Sequence, residues 1–231
     1  MLILAIDTAL DACAAGILDA EAGRMIAQES QAMKRGHAEA LMPLIGRVIK
    51  RSGTEFIKLD RIAVTTGPGS FTGLRVGLSA ARGIGLAANK PVVGVTTLTA
   101  FAAPIVSENA ERPVVSAIDA RHGQIYFQVV SGNGSSLVWP RVGPIEEALG
   151  ASEFGAPHLV GNAAEMVGQI WPAETPPFAI NAQPAPDIAW VAWLGAAVDP
   201  DAAPARPFYL RPPDAKPSRD PLQKTSQPSP T

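Results

Sequence analysis

The sequence has few of the residues that reveal a function directly, since cysteine and histidine are rare and the net charge is small. Its single cysteine, Cys13, excludes an internal disulfide and fits a reducing compartment. The three histidines, His37, His122 and His158, are too widely spaced for an HxxxH or HExxH metal motif. A net charge of −2 gives no overall attraction for nucleic acid. We therefore predict no metal site, and any RNA would be held by a partner or by a local patch.

Long apolar runs are also absent. No stretch approaches the roughly 20 residues that a membrane-spanning helix needs, and the N-terminus enters a strand pattern without a basic leader. The 231 residues, of which 47% are hydrophobic, suffice for one large or two small domains. We expect a cytoplasmic protein with no membrane partner.

The first hundred residues alternate between short apolar runs and helical patterns. Runs at 2–6, 12–18 and 24–30 predict three antiparallel strands, and 61–66 and 91–96 predict two more. Between them, residues 37–52 carry an apolar stripe at helical spacing that ends at Gly53, and residues 72–88 form a helix rich in small residues. The predicted order is strand, strand, strand, helix, strand, helix, strand.

The segment TGPGSFTGLRVG at residues 66–77 joins a predicted strand to a predicted helix. Such a turn places backbone N–H groups at a helix N-terminus, which favours an anion. The segment nevertheless lacks the lysine of a phosphate loop, because Gly73 is followed by Leu74 and Arg75, and Thr72 replaces the third glycine of a dinucleotide loop. Two interpretations stay open here: a phosphate cradle, or a tight turn that lets a helix pack closely.

A second set of strands begins after about residue 104. Strands are predicted at 113–120, 123–131, 137–142 and 158–161, and helices at 145–149, 163–170 and 188–198. From residue 212 onward the chain is proline, serine and charge, which predicts disorder. We expect domains at 1–104 and 105–212, and a disordered tail at 213–231.

This order resembles the ribonuclease-H-like unit of the actin-like ATPase and kinase superfamily. We therefore predict an α/β fold of two such modules, the second degenerate. In that superfamily an aspartate ends the first strand beside a phosphate-binding hairpin, and Asp7 stands at this position, although aspartate is also a common turn residue. The candidate residues of a vestigial nucleotide or phosphate site are Asp7, Thr8, Gly67, Gly69 and Ser70.

Six motifs in order closely resemble the TsaB (YeaZ) family over residues 1 to about 213. They are LAIDT at 4–8, His37 with Leu41 and Pro43, GPGSFTGLRVG at 67–77, GVTTL at 94–98, IDAR at 118–121 and YLR at 209–211. The resemblance implies an accessory subunit in bacterial synthesis of threonylcarbamoyladenosine, next to the anticodon of certain tRNAs. It also implies TsaD as a partner and, through TsaD, TsaE, with tRNA reached only through the complex.

The catalytic relative TsaD carries a histidine pair that binds its metal, and Thr97 and Phe101 occupy those positions here. Neither side chain can replace an imidazole ligand. No histidine lies near Ser70 or Cys13 in the sequence, so a protease mechanism lacks its base. The resemblance thus implies a chain with no catalysis of its own and no cofactor, while ATP and metal are expected in the partner subunits.

In the resembling family the two helices of the first module pack against the same helices of TsaD. Carried over to this sequence, the interface candidates are Leu41, Met42, Ile45, Leu74, Leu78 and Ala81. The alternative is that the chain's own sheet covers these faces. The same helices predict a homodimer in isolation.

A second hypothesis is an independent ATP-binding phosphotransferase that uses Asp7 and the glycine segment at 67–73. The adenine-binding glycines expected in the second half are absent. The roles of Asp119 and Arg121 stay open between an ion pair, a turn-stabilising bond, and a contact with a partner or RNA.

Overall fold

The computed structural model describes residues 1–108 and 111–211. The first sheet has the strand order β3-β2-β1-β4-β5. The pairs β1–β2 and β2–β3 are antiparallel, whereas the pairs β1–β4 and β4–β5 are parallel. Its strands are β1 (Leu2–Asp7), β2 (Ala12–Asp19), β3 (Arg24–Ala32), β4 (Arg61–Gly67) and β5 (Val92–Thr96).

The second sheet repeats this arrangement in the order β8-β7-β6-β9-β10. Again the first three strands pair antiparallel and the last two join in parallel. Its strands are β6 (Val114–Arg121), β7 (Gln124–Val130), β8 (Ser136–Pro144), β9 (His158–Val160) and β10 (Ala179–Asn181). This repetition confirms the predicted two-module, actin-like fold, and the three-residue strands β9 and β10 show how far the second module is reduced.

Two helices cover one face of the first sheet. Helix α1 (His37–Ser52) has the predicted bounds, because Gly36 and Gly53 adopt left-handed backbone at its two ends. Helix α2 (Phe71–Ala88) follows the glycine segment and begins with the hydroxyl of Ser70 accepting a bond from the Gly73 N–H. The apolar stripes of both helices meet Leu4, Ile6 and the adjacent strands in a buried cluster. The apolar stripe that predicted each helix thus lies on the face that the sheet covers.

The opposite face of the first sheet is covered by α5 (Ile188–Ala197), which comes from the far end of the chain. Ile188, Val191 and Ala192 pack there against Ile3 and Ala5 of β1. The Arg61 guanidinium donates to the carbonyl oxygens of Gly195, at 2.8 Å, and Val198, at 2.6 Å, which satisfies the end of the helix. The first lobe therefore contains a helix from the segment that the sequence assigned to the second domain.

After α5 the chain follows the edge of the first sheet. The Gly94 N–H donates to the Ala203 carbonyl at 2.9 Å, and the Phe208 N–H donates to the Thr66 carbonyl at 2.8 Å. These bonds bring Tyr209 beside Phe71 at the start of α2. The segment at 203–209 thus belongs structurally to the first lobe.

Helix α3 (Thr97–Ser107) lies between the lobes and is not predicted from the sequence. Leu98 and Phe101 pack with Val114 and Ile118 of the second sheet, while Ala100 joins the cluster beneath α5. Threonines at its start and Pro104 within it weaken the helical signal. The predicted boundary at residue 104 therefore falls inside a helix that both lobes share.

The second lobe is completed by α4 (Ala164–Gln169) and by a 3-10 segment at Ile145–Phe154, where the sequence predicted a short α-helix at 145–149. In the described part of the chain, no helix is long and apolar enough to cross a bilayer. The tail predicted to be disordered lies outside the described residues.

We expect Gly195→Val to lower the free energy of unfolding by about 2 kcal/mol or more, because a Cβ at this position would overlap the Cβ of Ala63. Urea unfolding measures the change. Gly46→Ala in α1 is the matched control, since its Cβ would meet nothing within 4 Å. Removing a helical glycine there should stabilise the chain by about 0.5–1 kcal/mol. Equal effects at the two positions would contradict this account of α5 packing.

Candidate functional site

Asp7 ends β1 and is fully buried. Its Oδ1 accepts bonds from the Thr65 hydroxyl at 2.6 Å and the Ala9 N–H at 3.0 Å, while Oδ2 has no partner among the described residues. Burial raises the pKa of this carboxyl above its ordinary value, although the two donors act in the opposite direction. The side chain is therefore held inside the protein rather than presented to a ligand.

The glycine segment lies directly on the turn between β1 and β2. The Thr8 hydroxyl donates to the Gly73 carbonyl at 2.7 Å, and the Ser70 N–H donates to the Ala9 carbonyl at 2.7 Å. A Cβ at Gly73 would overlap the Thr8 carbonyl oxygen, and one at Gly69 would overlap that of Ala9. These glycines thus allow two backbone segments to touch, where a phosphate cradle would need open space.

The structure therefore brings the five candidate phosphate residues together, and most of the polar groups described for them bond within the chain. Asp7, Thr8, Gly69 and Ser70 meet at the β1–β2 turn, and Gly67 begins the segment with a φ of 107°. The Gly67 position lies against Leu74 and the Phe208 carbonyl. Of the two interpretations of the segment, this geometry favours the tight, close-packing turn.

Thr97 and Phe101 both lie in the buried face of α3. Phe101 belongs to the apolar cluster between the lobes, and the hydroxyl of Thr97 is buried without a partner among the described residues. No group of three or more metal-ligating side chains forms anywhere in 1–108 and 111–211. The position that corresponds to the metal pair is thus part of the core.

The three histidines have separate structural surroundings. His37 bonds the Leu10 carbonyl through Nε2 at 3.0 Å, and His122 lies in the β6–β7 turn with a φ of 54°. His158 stacks on Phe178 with 4.8 Å between ring centroids, and burial lowers its pKa, assisted by Arg112. The three rings do not share one site.

Five of the six interface candidates lie in the core. Leu41, Ile45, Leu74, Leu78 and Ala81 are at most 2% exposed, whereas Met42 is 50% exposed. The apolar stripe that marks these helices faces the chain's own sheet, and Leu74 packs at the junction between the lobes. These five side chains are buried in the chain's own core, although they were expected to contact a partner. Of the six candidates, only Met42 is accessible.

An exposed apolar groove of about 500 Å³ lies instead between α1, α2 and the 3-10 turn at Phe56–Lys58. We call it the α1–α2 groove. Ile57 is 60% exposed at its border, and Leu86, on α2 beside it, is 86% exposed. The residues that line it are Met42, Phe56, Ile57, Ala80, Gly83, Ile84, Ala87 and Ala88.

The glycines of α1 and α2 differ between the outer face of these helices and the inner face, which packs on the sheet. At Gly77 and Gly85 a Cβ would overlap Thr8 or Val92, so close internal packing explains both. At Gly46 and Gly83 a Cβ would meet nothing within 4 Å, and both residues are exposed. A glycine inside a helix costs about 1 kcal/mol relative to alanine. The sequence signal that could have located this surface is the set of small and apolar residues off the core stripe.

A second, more polar cavity of about 710 Å³ opens between the lobes. We call it the interlobe cleft. Its lining residues are Leu10, Asp11, Lys34, Arg35, Gly69, Ser70, Phe71, Thr72, Asp119, Ala120, Arg121, Tyr126, Asn162, Tyr209 and Arg211.

The Asp119–Arg121 motif forms part of the second-lobe wall of this cleft. The Asp119 carboxylate accepts the Arg121 N–H at 2.7 Å, and the Asp119 N–H donates to Asn162 Oδ1 at 2.9 Å. Of the roles that the sequence left open for Asp119, the structure shows the turn-stabilising bond. Arg121 itself has a φ of 65°.

We expect Asp7→Asn to gain stability relative to the natural chain as the pH rises from about 4 to 8. Because the folded carboxyl has the higher pKa, the folded state binds its proton more tightly, and stability is lost above the unfolded value. Asparagine does not titrate, so the difference between the two urea midpoints reports Asp7. A difference that shrinks toward high pH would show that the charged carboxylate is stabilised, as a bound cation would do.

Comparison with known proteins places the chain among tRNA-modification proteins. A family model described as TsaD, tRNA N6-adenosine threonylcarbamoyltransferase, matches residues 25–180. The tRNA threonylcarbamoyladenosine biosynthesis protein TsaB of Haemophilus influenzae is 34% identical over 177 residues, 74% of this chain and 73% of that protein. Its Escherichia coli namesake is 35% identical over 127 residues, 55% of this chain and 54% of that protein.

A solved structure has the same overall fold. YeaZ from Pseudomonas aeruginosa superposes with a TM-score of 0.73 at 27% identity, covering 90% of this chain and 99% of that one. Sequence and structure thus agree over most of the chain, and they agree with the six motifs. The chain belongs to the TsaB (YeaZ) family.

Proposed function

We propose that this chain is a non-catalytic subunit in tRNA threonylcarbamoyladenosine biosynthesis, which docks on TsaD through the α1–α2 groove and contacts TsaE through that pair. The names of its relatives support the pathway. One structural observation carries the proposal: α2 presents an accessible apolar face that the chain's own packing does not use. The partner, in this proposal, performs the transfer to tRNA.

The chemistry of the first lobe supports a role without catalysis. The glycine segment contacts the β1–β2 turn, and Asp7 is engaged by Thr65 and Ala9. The α3 positions that carry metal-binding histidines in TsaD are filled here by a threonine and a phenylalanine inside the core. In this proposal, the first lobe provides a binding surface for another molecule.

The α1–α2 groove has the properties of a helix-docking site. Each large apolar side chain that becomes fully buried contributes about 1.5–3 kcal/mol, and Met42 and Ile57, which line the groove, are each at least half exposed. Gly83 and Ala80 are small enough for the backbone of another helix to approach α2 closely. The groove thus combines apolar anchors with a flat helical surface.

The choice of TsaD as occupant rests on the match between the two families. The TsaD model matches residues 25–180, a range that contains both α1 and α2. A TsaD protein would therefore carry corresponding helices, and related faces can pair around a pseudo-two-fold axis. The same argument predicts that the free chain forms a homodimer through this groove, in competition with TsaD.

We expect Ile57→Arg and Gly83→Trp to weaken TsaD binding by at least about 10-fold, because one buries a charge and the other fills the groove. Co-purification and calorimetric titration with TsaD measure the loss. Gly83→Ala tests the fold, which should be as stable as the natural chain or more so. Trp139→Arg is the matched surface control, since Trp139 is 78% exposed on β8 and does not line the groove. Unchanged TsaD affinity in both groove variants would reject the interface.

Reconstitution tests the role itself. We expect no threonylcarbamoyl transfer by the purified chain alone, and loss of tRNA modification when it is omitted from a mixture of its partners. Full modification without this chain would overturn the proposal. Light scattering of the free chain, with and without TsaD, shows whether homodimer and heterodimer exclude each other.

The alternative function is an ATP-dependent phosphotransferase, which the two-lobed fold and the open interlobe cleft favour. Its weakness is the glycine segment, where the Ser70 N–H bonds the Ala9 carbonyl and the Gly73 N–H bonds the Ser70 hydroxyl, so these two donors are not free for a phosphate. Calorimetric titration with Mg-ATP separates the two functions. Absence of heat at millimolar nucleotide removes the phosphotransferase, whereas saturable binding would favour it.

A further inference from the structure

We infer that the interlobe cleft binds single-stranded RNA, with Lys34, Arg35 and Arg121 contacting phosphates and with an unpaired base stacked on the Phe71–Tyr209 pair. Identifying the ligand as RNA rests on the proposed function in tRNA modification. The inference goes beyond that function because it assigns direct RNA contact to this chain rather than only to its partner.

Charge is the first argument. Four basic side chains line the cleft, against the two carboxylates of Asp11 and Asp119, although the whole chain has a net charge of −2. Lys34, Arg35 and Arg121 form no ion pair with another described residue. Separate segments supply them: the β3–α1 connection and the β6–β7 turn. This local excess of positive charge is the feature by which phosphodiesters are held.

The aromatic pair is the second argument. The rings of Phe71 and Tyr209 lie 5.4 Å apart at an angle of 34°, and both residues line the cleft. The Arg75 guanidinium covers Phe71 at 3.7 Å from the ring centroid. Phe71 is 37% exposed and Tyr209 is 43% exposed, so neither residue is buried. Exposed aromatic rings next to cations form the usual platform for unpaired bases.

The turn that presents Arg121 is the third argument. Arg121 and His122 both adopt left-handed backbone, which is uncommon for residues other than glycine. The Asp119 carboxylate holds this turn through the Arg121 N–H, and Asn162 in turn fixes Asp119. Ordered hydrogen bonds therefore place this arginine at the wall of the cleft.

An extended strand fits these features better than a mononucleotide does. A mononucleotide site in this fold would need free backbone donors in the glycine segment, whereas the Ser70 N–H donates to the Ala9 carbonyl and the Gly73 N–H donates to the Ser70 hydroxyl. The cations come from both lobes of an open cleft of about 710 Å³, Lys34 and Arg35 from the first lobe and Arg121 from the second. Such a distribution matches successive phosphates of one strand.

The test measures fluorescence anisotropy of a labelled single-stranded RNA oligonucleotide and of unmodified tRNA, with the full chain and with its complex with TsaD. Lys34→Glu and Arg121→Glu are each expected to weaken binding about 10-fold at low salt and to reduce its salt dependence. Tyr209→Ala should also weaken binding about 10-fold, while Tyr209→Phe keeps the stacking surface and should bind normally. Arg24→Glu is the matched charge control, because Arg24 begins β3 at the opposite end of the first sheet.

Several outcomes would overturn the inference. They are absence of RNA binding by both the chain and the complex at low salt, equal weakening by Arg24→Glu, and equal affinity for a duplex of the same length. Saturable Mg-ATP binding that Arg121→Glu abolishes, without RNA binding, would assign the cleft to a nucleotide instead.

Binding to TsaD is measured separately from binding to RNA. The cleft variants should still co-purify with TsaD, and Ile57→Arg in the α1–α2 groove should lose TsaD while the free chain keeps its RNA affinity. Loss of TsaD binding in the cleft variants would contradict the separation of the two surfaces. Failure of the RNA inference and failure of the docking proposal therefore give different results.

Discussion

The structure depends on one close contact, between the glycine segment and the turn that joins β1 to β2. Gly69 and Gly73 lie against the carbonyl oxygens of Ala9 and Thr8, at distances that no side chain would permit. The Thr8 hydroxyl then closes the contact by bonding Gly73. Because α2 begins in this segment, the contact fixes where the helix leaves the sheet and which of its faces remains outside.

The same contact also determines which surfaces of the first lobe stay accessible. In a phosphate-binding relative of this fold, backbone donors at this position would face a ligand. Here the glycine segment contacts the chain's own β1–β2 turn. Asp7 lies beside it and is buried, and burial raises its pKa. What remains accessible is the outer side of α2, with Gly83 and Leu86, and the cleft beyond Phe71. The TsaD-docking proposal uses the outer side of α2, and the RNA-binding proposal uses the interlobe cleft.

Local patterns predicted much of the fold because they depend on neighbouring residues. The apolar stripe of α1 and the glycine at 53 gave its bounds, and short apolar runs gave the strands of the first sheet. The helix α3 was missed because its threonines and Pro104 disfavour a helix, and packing between the lobes outweighs that preference. The interface candidates were taken from the apolar stripes, and a stripe records burial without showing which molecule provides it.

The sequence alone determined the family, the order of the strands in the first sheet's half of the chain and the absence of a histidine pair at Thr97 and Phe101, since these follow from residue identity and spacing. Tertiary structure decided that α5 covers the first sheet, that Leu41, Ile45 and Leu78 are core, and that Gly83 faces outward. The physical reason is that each depends on contacts between segments far apart in the chain. The glycines at 69, 73 and 83 look alike in sequence, and only the atoms around them separate internal packing from an open surface.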